Sequence, residues 1–497
     1  MTNTPKLAVS GYRGIWGDTL TIDTAKKYAQ SFGLFIKESG PRQGLGLTVL
    51  VGRDGRESGP AIRDAIIPVL ESMGIDVIDG DVLPTPTVLL AVRENKYDGA
   101  IIITASHNPI EYNGLKFVTA SGFFTDESEV EKIKKYFSSP LEEYPQGEVD
   151  DSRPPRLLST ESILTGSVHL SHLSTEAQGL AVGSLSQLHP QDGNKIQSEL
   201  IKMHSDKILS HIDVELIKSK NFKVAVDMTN GAASVMDPYL FEQLDIELIP
   251  INNVADGKFT HKPEPLKQNL GEIEKLVLDS GADIGFAQDP DADRLVVINE
   301  KGEMISEEYT IALAVEAVLS VGDHDGGTVV VNMSTSQMNA DIAEKYGSKC
   351  IRSKVGEANV VGEMIKNNSI IGGEGGGGAI YPTMNFARDS FSTLALILEI
   401  LAKRNLKVSE LVDTLPTYFM KKDKVDVSGS LSEMYSKLKT HFLEAQINEL
   451  DGIRLDFADR SWIHLRPSNT EPIIRLYGEA NTPEKIEELF SETKALF

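Results

Sequence analysis

The sequence predicts an α/β chain of several domains that closes with an α+β unit. Two patterns and the length carry that expectation. Short apolar runs alternate with stretches of helical spacing through most of the chain, the mark of sheets with crossover helices. From about residue 415 the texture changes to closely spaced strands with a closing helix. At 497 residues the chain is too long for one core, so about three or four domains are expected.

Taken in order, TVLVGRD at 48–54 reads as a strand ending in charge. Ile62, Ala65, Ile66, Val69, Leu70 and Met73 then fall at helical spacing, with Pro60 near the start and Gly74 after the end. DVIDGDV reads as a strand, VLLAVRENK as a helix, and GAIIITA at 99–105 as a buried strand. Thr125-Asp126 opens EVEKIKKYF, with Glu129 three residues after Asp126 as in a capping box. FKVAVDM (222–228), GADIGFA (281–287), TVVVNM (328–333) and SIIGGE (369–374) repeat the strand pattern, with MNADIAEKYG a helix between the last two. SFSTLALILEILAKRN reads as a buried helix. After KKDKVDV, a helix is expected near 431–446, then GIRLDF, SWIHLRP and IIRLYGEA as strands. Residues 151–200, rich in Ser, Leu, Gln and His with little periodicity, read as an exposed insertion or linker with no function assigned.

Composition narrows the function. Hydrophobic residues at 40% and charged residues at 25% are those of an ordinary globular protein. A formal net charge of −24 argues against nucleic acid or an anionic membrane as partner. Cys350 is the single cysteine, which excludes an intrachain disulfide and thiolate zinc sites and suits a reducing compartment. The opening MTNTPKLAVSGYRGIWG has no charged-then-apolar order of a signal peptide, and no apolar run reaches membrane-spanning length. A cytoplasmic location is expected.

Four loops carry candidate chemistry. Thr104-Ala105-Ser106-His107-Asn108-Pro109 follows a buried strand, where α/β sheets usually bind ligands. Ser106 could be a nucleophile, or part of a plain Ser/Asn/Pro turn. The G-x-S-x-G elbow of a hydrolase is absent. Lys116, in Asn113-Gly114-Leu115-Lys116, could return to the same place as an acid/base or phosphate partner, or lie on the surface.

The second loop is Asp289-Pro290-Asp291-Ala292-Asp293-Arg294. Three alternating carboxylates repel one another unless a cation lies between them, and hard oxygen ligands favour Mg²⁺ or Ca²⁺. Glu300 falls at the twelfth position of an EF-hand register, but Arg294 stands where that loop requires glycine, and LVVIN after it reads as a strand. The EF-hand is rejected. A three-Asp Mg²⁺ site remains, with a solvated acidic turn as the alternative.

The third loop, Gly373-Glu374-Gly375-Gly376-Gly377-Gly378, has linker composition, yet SII precedes it and AIYP follows. A glycine run at a strand end admits a ligand close to the backbone, with Glu374 to accept from sugar hydroxyls. In the fourth, Arg466-Pro467-Ser468-Asn469-Thr470-Glu471-Pro472, with Arg475 beyond, small polar residues can form an anion nest beside a planar guanidinium. A hairpin turn is the alternative.

TASHNP, DPDADR, GEGGGG and RPSNTEP, in that order and preceded by Gly11-Tyr12-Arg13-Gly14, resemble the loops of the α-D-phosphohexomutase superfamily of phosphoglucomutases, phosphomannomutases and phosphoglucosamine mutases. The resemblance runs from about residue 7 to 490, apart from the stretch near 151–200. It implies three similar mixed α/β domains and a C-terminal α+β domain around a central cleft, with boundaries expected at 1–148, 149–300, 301–412 and 413–497. It implies a phosphoserine at Ser106, Mg²⁺ held by Asp289, Asp291, Asp293 and the phosphoserine, and support from Arg13, Lys116 and Arg294. It assigns the phosphorylated hexose or hexosamine to His107, Glu374, Gly376, Arg466, Ser468, Asn469, Thr470 and Arg475, with a sugar 1,6-bisphosphate as activator. A monomer or homodimer is expected.

Many members carry Ser or Asn at the position of Gly376 and His at that of Gly378, so no role for that histidine transfers here. The remaining pattern, with Arg388-Asp389 downstream, resembles archaeal and Bacteroidetes-like phosphoglucosamine mutases most closely. Glucosamine 6-phosphate to glucosamine 1-phosphate is therefore the expected reaction. Phosphoglucomutase/phosphomannomutase activity is the alternative, and a phosphosugar-binding homologue impaired in turnover or a phosphatase using the same serine are more distant ones.

Overall fold

The computed structural model describes residues 7–9, 11–40, 46–137, 193–321, 327–425, 430–467 and 473–497. They group into one unit of Met1–Ala105 with Glu111–His204, and a second of Ser106–Ile110 with Ser205–Phe497.

In the first unit, five strands lie in the order Tyr12–Ile15, Tyr112–Thr119, Gly99–Ile103, Thr48–Arg53, Asp76–Val82. The last three are mutually parallel, and the first two run antiparallel to their neighbours. Side chains alternate between the faces of a sheet. Val49, Val51, Ile101, Ile103, Leu115 and Phe117 therefore share one core with Phe32, Ile36, Ile66 and Ile133 from helices Ile22–Ser39, Gly59–Ser72 and Glu127–Phe137. Leu50, Ala100, Ile102 and Val118, on the opposite face, are equally buried, and helix Thr85–Glu94 packs against these strands. The capping box forms as expected: Glu129 N–H donates to Asp126 Oδ1 and Asp126 N–H to Glu129 Oε2, both at 2.8 Å. Of the irregular stretch 151–200 only 193–200 are described, and they begin helix Gly193–Leu209. That helix is tied to this unit where Gln197 Nε2 donates to Val82 O at 2.7 Å and His204 Nδ1 meets Thr87 Oγ1 at 2.8 Å.

The same strand path recurs twice in the second unit. Glu247–Ile251, Lys223–Asp227 and Ile284–Gln288 are parallel, with Leu295–Ile298 antiparallel at the edge. Lys349–Ser353, Thr328–Asn332 and Ile371–Glu374 are parallel, with Gly378–Ile380 antiparallel at the edge. Asp76–Val82, Thr48–Arg53, Gly99–Ile103 and Tyr112–Thr119 trace that path in the first unit, with Tyr12–Ile15 added. Three similar α/β units are thus present, as the fold class requires.

The C-terminal part is α+β. Strands Phe419–Val425, Ile474–Ala480, Trp462–Pro467, Ile453–Asp456 and Gln446–Asn448 form a wholly antiparallel sheet. Met434 and Leu438 of helix Leu431–His441, with Ile486, Leu489 and Phe490 of helix Pro483–Ala495, cover Ile453, Leu455, Ile463 and Leu476. The helix expected over 431–446 ends early. Phe442 leaves helical geometry (φ −101°, ψ 66°) with its ring in the core, and Gln446–Asn448 becomes an edge strand. Polar contacts tie this sheet to the preceding α/β unit. His464 Nδ1 lies 2.9 Å from Ser334 Oγ, Gln337 N–H donates to Glu479 Oε2 at 2.6 Å, and Arg454 Nη1 donates to Met333 O at 2.5 Å.

Candidate active site

In each α/β unit the third parallel strand turns back into an antiparallel strand, and one motif fills each turn. Ser106 lies between Gly99–Ile103 and Tyr112–Thr119, the three aspartates between Ile284–Gln288 and Leu295–Ile298, and Gly375–Gly377 between Ile371–Glu374 and Gly378–Ile380. Each motif therefore stands at the carboxyl end of a parallel strand, where open α/β sheets bind their ligands.

Ser106 is 1% exposed and holds φ at 51°, a left-handed conformation that costs a non-glycine residue of order 1 kcal/mol. Its hydroxyl donates to Asp289 Oδ2 at 2.9 Å and lies 3.3 Å from His107 Nδ1. Glu264 lies between two other candidates, 4.0 Å from His107 Nε2 and 3.9 Å from Arg294 Nη1. In the first unit, buried Asp54 accepts from Thr104 Oγ1 at 2.7 Å and pairs with Arg56, which donates to Tyr112 O at 2.9 Å. Both ends of the serine turn are thereby fixed to one buried ion pair.

Asp289, Asp291 and Asp293 are all fully buried, with candidate ligand oxygens within 4.8 Å of one another. The loop turns through Ala292 (φ 57°), whose carbonyl accepts from Ser390 Oγ at 2.8 Å. Asp293 N–H and Arg294 N–H both donate to Asp289 Oδ1 at 3.1 Å. Burial, then the charges of Asp293 and Asp291, push the Asp289 carboxyl well above its ordinary value. A divalent cation reverses that penalty, and three carboxylates are a hard all-oxygen donor set. The residues fit a metal ion.

The glycine loop is ordered by its neighbours. Leu295 N–H donates to Gly377 O at 2.8 Å, joining it to the end of the aspartate loop. Glu374 Oε1 accepts from Asn332 Nδ2 at 2.9 Å and from Gly356 N–H at 2.8 Å. Gly376 has φ at 129° with nothing near the place of a Cβ, so backbone conformation rather than space requires glycine there. At Gly378 space decides, because a Cβ would collide with the side chain of Arg388. Arg388 reaches Asp293 Oδ2 at 2.6 Å, Glu357 Oε2 at 3.1 Å and Glu374 Oε2 at 3.4 Å. Burial works against its charge, but Asp293, Glu357, Glu374 and Asp289 outweigh burial and hold the guanidinium protonated more firmly than usual.

On the C-terminal sheet, Lys424, Arg475 and Arg466 are direct partners across three adjacent strands. Like charges directly opposite are unfavourable, so this row suits an anion. Arg466 Nε lies 3.4 Å from Asp451 Oδ2, which also accepts Val355 N–H at 2.9 Å. Ser468, Asn469 and Thr470 lie outside the described residues. Arg13 and Lys116 belong to the first unit, where Arg13 pairs in register with Gly114 and Lys116 is buried with its ammonium 5.4 Å from the Phe124 ring centre.

Asp54, Arg56, Glu264, Glu357, Asp451 and Lys424 were not singled out from the sequence, and Arg388 was marked only as half of a dipeptide. Each is an ordinary charged residue, and the contact that ties it to the site reaches far along the chain: even Asp54 and Arg56, which pair locally, meet Thr104 and Tyr112 across 50 and 56 positions. The Arg388-Asp389 pair was the one usable signal.

Known proteins resemble this chain along its length. The phosphoglucomutase/phosphomannomutase α/β/α domains I, II and III match residues 5–143, 202–302 and 306–419, and the C-terminal domain of that family matches 424–496. A phosphoglucomutase/phosphomannomutase of Thermococcus kodakarensis is 35% identical over 96% of this chain and 95% of its own length. A phosphoglucosamine/phosphogalactosamine mutase of Sulfurisphaera tokodaii is 30% identical over 98% of this chain and 97% of its own. The crystal structure of a phosphoglucomutase/phosphomannomutase family protein from Burkholderia thailandensis superposes with a TM-score of 0.76 at 25% identity, covering 99% of this chain and 98% of that one.

Proposed function

The chain belongs to the phosphoglucomutase/phosphomannomutase family and is a phosphosugar mutase, and we propose that it interconverts glucosamine 6-phosphate and glucosamine 1-phosphate through a phosphoserine at Ser106. The observation that carries this reading is the 2.9 Å hydrogen bond from Ser106 to Asp289. It brings a buried serine oxygen to three carboxylates that fit a metal ion, which is where a serine phosphate needs its charge offset.

Phosphorylated Ser106 donates its phosphoryl group to the free sugar hydroxyl, leaving a free serine and a sugar bisphosphate. The bisphosphate turns end for end, and its other phosphoryl group returns to Ser106. Asp289, Asp291 and Asp293, with a phosphoserine oxygen, would hold Mg²⁺, which when bound neutralises charge on the transferred group. Arg13, Lys116 and Arg294 offset charge on the moving phosphoryl oxygens. His107, Glu374 and the backbone at Gly376 face the sugar. Arg466, Ser468, Asn469, Thr470 and Arg475 grip the phosphate that does not react, and Lys424 extends that row. A sugar 1,6-bisphosphate primes a chain that has lost its serine phosphate. The same reading divides the chain at 148, 300 and 412. It places the protein in the cytoplasm as a monomer or homodimer with no nucleic-acid or membrane partner; among the described residues, no helix is long and apolar enough to cross a membrane.

The amino sugar is supported by the glycine loop with Arg388-Asp389 and by the Sulfurisphaera relative. Glucose or mannose phosphate is a second reading, favoured by the Thermococcus relative. The deciding experiment compares kcat/KM for glucosamine, glucose and mannose 6-phosphates, with Mg²⁺ and a trace of the matching bisphosphate. A preference for glucose or mannose adopts the second reading. Absence of any isomerisation, or phosphate release that keeps pace with it, overturns the phosphoserine-mutase reading.

A further inference from the structure

We propose that Arg388 is a positioning residue joining the three-aspartate centre to the sugar loop, and that residue 378 is glycine so that the Arg388 stem can pass. The inference rests on the metal-site reading given above. Asp389 caps helix Ser390–Arg404 by accepting Phe391 N–H and Ser392 N–H, which fixes Arg388 at the helix entrance. Its own N–H donates to Glu357 Oε1 at 3.0 Å, and its Nε lies 3.1 Å from Glu357 Oε2. Glu357 thus orients the stem, and the two terminal nitrogens are directed elsewhere: Nη2 to Asp293 at 2.6 Å and Nη1 to Glu374 at 3.4 Å.

The glycine completes the argument. Gly378 is the register partner of Glu374 across the hairpin. The three heavy atoms nearest to a Cβ at 378 are all in the Arg388 side chain, with Cγ at 3.0 Å and Nε at 3.4 Å. The Gly378 backbone lies outside the left-handed region, so alanine is conformationally acceptable and Arg388 is the obstacle. One planar cation therefore holds a candidate metal ligand and the candidate sugar ligand together. A guanidinium can do this in two directions at once, whereas an ammonium is a single point charge. Partners of metal-binding carboxylates commonly set metal affinity by about 10- to 100-fold.

The test titrates Mg²⁺ by calorimetry into the full-length protein and the variants Arg388→Lys, Arg388→Ala, Gly378→Ala, Gly378→Ala/Arg388→Ala and Asp291→Ala, with melting curves alongside. Arg388→Lys and Gly378→Ala are each expected to weaken Mg²⁺ binding by roughly 10-fold or more. In the Arg388→Ala background, Gly378→Ala should add nothing, because the obstacle is gone. If Arg388→Ala does not fold, Arg388→Lys and Gly378→Ala carry the decision, since both keep the cation. Mg²⁺ affinities within about twofold of the parent in both of these variants overturn the inference, as does full additivity in the double variant. If the parent binds Mg²⁺ no better than Asp291→Ala, the metal reading falls and the inference with it. If Asp291→Ala abolishes binding and the Arg388 and Gly378 variants bind like the parent, the inference falls alone.

Discussion

The Ser106 hydroxyl donates to Asp289 Oδ2 at 2.9 Å although the two residues are 183 positions apart. A serine held in a left-handed conformation and directed at a buried carboxylate needs a reason to be there, and phosphoryl carriage supplies one. Replacing Ser106 with Ala should remove the mass of one phosphoryl group from the peptide that spans it. Mutase activity should fall by about 10⁴-fold or more. Intact-protein mass and a coupled assay read the two effects, and substantial activity in Ser106→Ala rules out the carrier.

The aspartate centre leads to two changes of opposite sign. Asp289, Asp291 and Asp293 share a dry site in which burial, then the charges of Asp293 and Asp291, oppose ionisation of Asp289. Removing one charge in Asp291→Asn should raise the metal-free melting temperature, by roughly 1 kcal/mol of stability. The same change should shift the Mg²⁺ dependence of kcat to higher concentration, and chelation should abolish the parent's activity. A variant less stable than the parent without metal, yet equal to it with metal, contradicts the assignment.

The sequence revealed the motifs, because each needs several unusual residues close together. The Asp289–Arg294 run shows its charge conflict in six letters, and the glycine run interrupts two strands visibly. It did not reveal that the three motif turns occupy one recurring place in three similar units. That depended on the antiparallel return strands, of which Tyr112–Thr119 is interrupted by Asn113, Gly114 and Lys116, and Gly378–Ile380 is three residues long. The supporting charges were hidden for another reason. Arg388 meets Asp293 across 95 positions and Asp451 meets Val355 across 96, and pairing at that distance leaves no local spacing. Residue 378 is the instructive case: its side chain is missing for a reason located ten residues away, in the stem of Arg388.

The cationic row on the C-terminal sheet predicts a binding effect more than a rate effect. Arg466 is held by Asp451, and that carboxylate is itself anchored to Val355 N–H. Arg466→Lys keeps the charge and loses the planar fork. The expected result is a rise in KM for the sugar phosphate of about tenfold, the worth of roughly one charge-assisted hydrogen bond, with a smaller change in kcat. A fall in kcat with KM unchanged assigns Arg466 to the reacting phosphate instead. Asp451→Asn should shift KM in the same direction by a smaller factor.

His464 predicts how the C-terminal sheet responds to acid. Its Nδ1 meets Ser334 Oγ at 2.9 Å, in the α/β unit that precedes the sheet, and its Nε2 meets Asp451 O at 2.5 Å. Burial is the largest influence and pushes its pKa down to about 4; the charges of Arg454 and Arg466 act the same way, while Asp451 opposes them. The folded state therefore favours the neutral ring, and the unfolded chain takes up a proton at the ordinary value of 6.5. The stability this lends is complete above 6.5 and is lost as the pH falls towards 4, by roughly 3 kcal/mol at the limit. His464→Asn loses the two contacts of the ring and should be less stable than the parent near neutrality. Its unfolding free energy should nevertheless fall less steeply between about pH 7 and about pH 5. Denaturant titrations at the two pH values measure both slopes, and equal slopes in parent and variant exclude His464 as the acid-sensitive contact.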